Sequence, residues 1–194
     1  MKPLLKTITL LLALLATATV FADGVYQEPA EFIRQTFDDK PPKADVLWLN
    51  KDLKKQVEKI LDHKYTGLRI RYWQQSDDSY KKSAWVLEEI GKEKMITAGI
   101  VINNQQIERV KVLVFRESRG WEVRHDFFTQ QFEQAKLKEN HQLDKTIDNI
   151  SGATLSVRAV RKLARIALLL DQHIWNSSSD QQMPRTDSKT EQIK

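Results

Sequence analysis

Asp148-Asn149-Ile150-Ser151-Gly152-Ala153-Thr154-Leu155-Ser156 gathers the residue types best suited to hold a ligand in this 194-residue sequence. Gly152 has no side chain to block close approach to the backbone, Ala153 keeps the next position small, and Thr154 supplies a hydroxyl that can be esterified. Apolar residues follow at three- and four-residue spacing, Val157, Val160, Ala164, Ala167, Leu168 and Ile174, which predicts a long helix after Ser156. Unpaired N–H groups and the positive end of the helix dipole favour an anion such as a phosphate just before that helix. The same residues equally suit a plain helix N-cap, for which Ser, Thr and Asp are the commonest side chains. On the residues alone both readings stay open.

The other reactive side chains do not assemble. His63, His125, His141 and His173 are scattered without a pair at helical ligand spacing, and no nucleophile stands beside a base, so we assign no metal ligand and no catalytic side chain. Arg158, Arg161, Lys162 and Arg165 share one face of the last helix, either as a solvated face or as a surface for an acidic partner. Cysteine is absent, which excludes disulfides, thiolate metal sites, iron–sulfur clusters and thioether-linked haem; redox chemistry here calls for an organic cofactor.

These residues need a scaffold. Glu28 to Phe37 reads as a short helix stopped before Pro41-Pro42. Val46 to Leu49 is apolar, Asn50 is a plausible N-cap, and Asp52 to Leu61 places Leu53, Val57, Ile60 and Leu61 on one helical face. The period then shortens to two or becomes β-branched: Leu68–Tyr72, Ser83–Ile90 and Met95–Ile102 read as strands, and Ile107–Glu117 pairs with the last of them through the polar turn Asn103–Gln106. Trp48, Trp73 and Trp85 are expected in the core, and Phe127, Phe128, Gln131 and Phe132 on a short helix. The fold class is α+β: a mostly antiparallel sheet with helices covering one face.

The two ends differ from this middle. Lys2 and Lys6 precede an apolar run from Ile8 to Val20 and a small-residue site at Val20-Phe21-Ala22, the pattern of a signal peptide cleaved after Ala22; an uncleaved anchor is the alternative. Export would put the protein in the periplasm. The formal net charge of +5 falls to +3 (5 − 2) without those two lysines, so the basic character does not argue for nucleic acid. Asn176 to Lys194 is polar and is expected to be disordered. The organisation expected is signal peptide 1–22, a helical and strand extension 23–79, a cofactor domain 80–175 and a tail 176–194.

The complete D-x-x-S-G-A-T pattern of Asp148 to Thr154 resembles the flavinylation motif of the FMN-binding domain family, whose members include flavin subunits of the Rnf complex and of the sodium-pumping NADH:quinone oxidoreductase. The resemblance extends back through the hairpin Met95–Glu117, the turn Glu117-Ser118-Arg119-Gly120, Trp121 and the Phe127–Phe132 helix, about Tyr80 to Asp171 in all. It implies FMN linked through its phosphate to Thr154, attached by an FAD-dependent flavin transferase that uses magnesium. It also implies a cofactor site made of Asp148, Ser151, Gly152, Ala153, Thr154 and Leu155, with Glu117 and Trp121 as further flavin contacts. Leu155 and Val157 depart from the further hydroxyl residues that often follow the motif threonine. The function implied is an exported carrier, associated with a membrane redox chain, that passes electrons between a membrane-bound donor and an acceptor. A flavin-dependent reductase of a small substrate or ferric iron, and a non-redox interaction module, are the alternatives.

Overall fold

The computed structural model describes residues 24–77 and 79–180. The expected signal peptide and the end of the expected tail lie outside these residues. One five-stranded antiparallel sheet, in the order β1-β2-β3-β4-β5, organises everything else. Its strands are β1 (Asp45–Trp48), β2 (Arg69–Ser76), β3 (Lys81–Ile90), β4 (Met95–Asn103) and β5 (Gln106–Phe115). The helices are α1 (Pro29–Thr36), α2 (Lys51–Leu61), the single turn α3 (Asp126–Thr129) and α4 (Thr154–Asp180), with 3-10 turns at Trp121–Arg124 and Gln130–Phe132.

Local chemistry accounts for most of these boundaries. Asn50 caps α2, its side chain accepting from the N–H groups of Asp52 and Leu53, an arrangement that stabilises a helix by about 1 kcal/mol. The β4–β5 turn is two residues long, and both Asn104 and Gln105 have positive φ (50° and 62°), the backbone that matches the twist of a tight hairpin. The α+β class expected from the sequence is what the chain adopts.

The expectation that helices cover one face needs correction. α2 and α4 pack on one side of the sheet over Trp85, Leu87, Ile100, Val110 and Val112. On the other side α1 covers Ala84, Val101 and Leu113 with Phe32, Ile33 and Phe37. Gly99 makes room for this, because a Cβ there would stand 2.5 Å from the Phe32 ring. β4 is thus buried on both faces, which explains its continuous apolar sequence.

α1 and its cluster reach Trp73 of β2 but leave Val46 and Trp48 of β1 and Arg69 and Arg71 of β2 exposed on that face. Trp48 is 63% exposed, with the Arg69 guanidinium 5.6 Å from its ring, and is not a core residue; Trp85 is fully buried and Trp73 half-buried. Pairing of β2 with β3 runs only from Tyr72 to Ser76. Beyond it Arg69–Arg71 pair with β1 alone and Val86–Glu88 with β4 alone. The strands diverge there over a gap of about 660 Å³ with Val57, Leu61, Leu87, Leu163 and Ile166 among its lining. A second correction concerns the tail: α4 continues through Asn176 to Asp180, since each residue added to an existing helix gains a backbone hydrogen bond.

Candidate functional site

The sheet brings the β3–β4 turn (Gly91–Lys94), the loop after β5 and the start of α4 together at one end. Lys92, Glu117, Ser118, Arg119 and the run Gly152–Ser156 line one cleft of about 540 Å³. The motif reaches this place through its backbone. The Ala153 N–H donates to the Ile150 carbonyl at 3.0 Å, closing a turn, and Gly152 takes φ +80°, where an L side chain is strained even though the space beside it is open.

Thr154 is the first helical residue rather than a residue before the helix. The Ala153 carbonyl accepts the first intrahelical bond, from the Val157 N–H at 2.9 Å, so Ala153 holds the capping position. Thr154 is exposed, and its hydroxyl makes no hydrogen bond among the described residues. Ser151, Gly152 and Leu155 are exposed beside it, whereas Ala153 and Ser156 are buried. Ser156 anchors the helix start: a Cβ on Gly120 would stand 2.5 Å from its Oγ, and Gly120 itself has φ +86°. Gly120 therefore sets how closely the loop after β5 approaches the motif, whereas Gly152 serves the motif through its left-handed backbone alone.

The remaining expected residues divide. Glu117 lines the cleft, but one carboxylate oxygen is committed to the β3–β4 turn, accepting N–H bonds from Lys92, from Glu93 at 2.8 Å and from Lys94 at 3.0 Å. Although burial pushes the other way, these three bonds and the Lys92 charge hold its carboxyl below the usual value. Glu117 thus shapes the cleft wall, a role no local pattern announces because its donors lie more than 20 residues upstream. Asp148 is exposed, and its N–H donates to the Gln131 side chain at 2.7 Å. Trp121 is not part of the cleft lining. It is 45% exposed and packs edge-on to His125 (5.2 Å between centroids), with Arg124 between its ring and Tyr26.

A second cleft, of about 420 Å³, opens on the other side of Thr154 between α2, the loop 142–149 and α4. Arg158, Arg161, Lys162 and Arg165 line it, as the helix spacing suggested, and Lys59 and Lys145 join them from distant parts of the chain. The helix stripe was readable in the sequence; its completion by α2 and the loop was not.

The exposed hydroxyl, the small residues around it and the flanking lysine and arginine fit a phosphate ester at Thr154. First-turn N–H groups lack intrahelical partners and add donors for such an anion. Residues 91–169 match the family model of the FMN-binding domain, the family that the motif resembles. No curated protein matches the chain.

Proposed function

With an FMN-binding domain as premise, we propose that this flavoprotein carries FMN esterified through its phosphate to the Thr154 hydroxyl and acts as an exported electron carrier. The observation that carries the reading is the state of Thr154: exposed on the rim of a cleft, at the first position of α4, with its hydroxyl unbonded among the described residues because Ala153 occupies the cap. A threonine kept only as a cap would spend its oxygen on the backbone.

FMN supplies the redox chemistry when bound. The chain does the holding. Gly152 leaves the backbone open on the approach to Thr154, the first N–H groups of α4 would supply donors to an ester phosphate, and Lys92 and Arg119 bring positive charge to the cleft. The partners proposed are an FAD-dependent flavin transferase for attachment and a membrane-bound donor or acceptor for turnover, in the periplasm after removal of residues 1–22.

The test is covalent flavin. Protein from cells that contain the transferase should stay yellow after acid precipitation, and a tryptic peptide containing Thr154 should carry the added mass of FMN. Thr154→Ala should be folded and colourless. Flavin found on a peptide without Thr154, or yellow denatured Thr154→Ala protein, overturns the assignment.

A further inference from the structure

The cleft on the far side of Thr154 has a charge balance that folding alone does not explain. Six cationic side chains line it, Lys59, Lys145, Arg158, Arg161, Lys162 and Arg165, against one carboxylate, Asp62. Lys162 is paired with Glu89 at 3.1 Å; among the described residues none of the other five forms an ion pair. Arg165 and Lys145 donate instead to the carbonyls of His141 and Glu133, and Lys162 also to that of Leu61, which fixes these groups in place without neutralising them.

Two physical costs show that the arrangement is maintained against electrostatics. Residues 154–165 contain four cations and no acid, although the positive end of a helix dipole favours acids. Burial and the Arg161 charge pull the Arg165 guanidinium below its ordinary value, and burial with the Lys59 and Arg165 charges does the same to His141. Unpaired like charges gathered in a concavity are relieved by an anion that enters it.

We propose that this cleft binds a diphosphate, the bridge of a dinucleotide whose flavin half lies in the neighbouring cleft, with Thr154 on the rim between them. Thr154 lines both clefts, so one extended ligand can reach it from either side. The concave shape selects a small anion over an acidic protein surface. Half-buried Arg161, Lys162 and Arg165 form the inner part of the lining and exposed Lys59, Lys145 and Arg158 the outer part. Guanidinium forks match the two oxygens of a phosphate edge. The dinucleotide rests on the proposed attachment at Thr154, whereas the anion site does not.

Calorimetric titration of Thr154→Ala protein, which leaves the rim free of covalent flavin, with inorganic pyrophosphate at low salt should give saturable one-to-one binding. Adding Arg158→Gln and Arg161→Gln, two side chains with no hydrogen bond or ion pair among the described residues, should weaken it at least tenfold without lowering the thermal midpoint, since removing two crowded cations relieves repulsion. Lys92→Gln, on the other cleft, should leave it within twofold. The proposal is overturned by absence of saturable binding, by a double variant that binds as well as its parent, or by an equal loss in Lys92→Gln. The two readings fail separately: colourless wild-type protein with intact pyrophosphate binding removes the flavin assignment alone, and yellow wild-type protein without pyrophosphate binding removes the anion site alone.

Discussion

The head and the later turns of α4 treat polar groups in opposite ways. At the head, Thr154 leaves its hydroxyl exposed and without a partner among the described residues, and the cations that follow stand around an open cleft. Nearly five turns further on, at about 3.6 residues per turn, Asp171 is fully buried. Ser83 donates to it at 2.5 Å and Trp175 at 3.0 Å, and Trp85 in turn donates to Ser83 at 2.8 Å. Its second oxygen has no partner among the described residues, and burial pushes its carboxyl up to about 6. One helix thus keeps the proposed site and the buried network apart. Substitutions at the head should change chemistry at little cost to the fold, and substitutions around Asp171 should do the reverse.

The largest effect on stability is expected at Ser83. Ser83→Val leaves the buried Trp85 N–H without its acceptor and the Asp171 carboxylate with the Trp175 donor alone, a loss of roughly 2–4 kcal/mol, or roughly 5–15 °C in thermal midpoint. Flavin per folded molecule should not change. A fall in flavin content larger than the fall in folded protein would break the separation.

Asp171→Asn sharpens the comparison through pH. The folded protein holds the Asp171 proton up to about pH 6, above the ordinary range of an aspartate. Below that range both states are protonated and burial carries no charge penalty. As pH rises through it the unfolded chain ionises first, so stability falls, and above pH 6 the penalty is complete. Asn carries no charge, so the variant should gain on the order of 1–3 kcal/mol over the parent at pH 8 and lose that advantage near pH 4. Thermal melts across this range read the difference; an advantage that does not depend on pH refutes it.

At the head the expected numbers shrink. Gly152→Ala puts a Cβ into open space at φ +80°, so only backbone strain counts, about 1 kcal/mol and a midpoint lowered by about 2–4 °C. Thr154→Ala, the variant expected to lack covalent flavin under the proposal, removes no hydrogen bond among the described residues, and calorimetry should find its stability within about 0.5 kcal/mol of an unflavinylated parent. A larger loss would mean that the hydroxyl caps the helix after all.

The sequence was most readable where one local rule acts alone. Asn50 before an amphipathic run, the polar turn at 103–106 and the small residues before the last helix each announce their own structure. It was silent where distant segments meet. Val46 to Leu49 is apolar at every position, so periodicity cannot say which pair faces water; the answer depends on how far α1 extends over the sheet. Glu117 reads as a ligand contact, and only the fold shows that one of its oxygens also holds the β3–β4 turn. The basic stripe reads as a solvated face until Lys59 and Lys145 close it into a cleft.

The divergence of β2 from β3 bears on motion. A ladder of five residue pairs joins the β1–β2 ribbon to the rest of the sheet, and past Tyr72 the ribbon has no partner on that side. Local opening needs only that short ladder and the contacts of α2 to yield, while β3, β4 and β5 stay paired along their length. The ribbon is therefore expected to be the least cooperative part of the sheet: its amide hydrogens should exchange through sub-global opening, faster than those of β3, β4 and β5, without unfolding the end that holds Thr154.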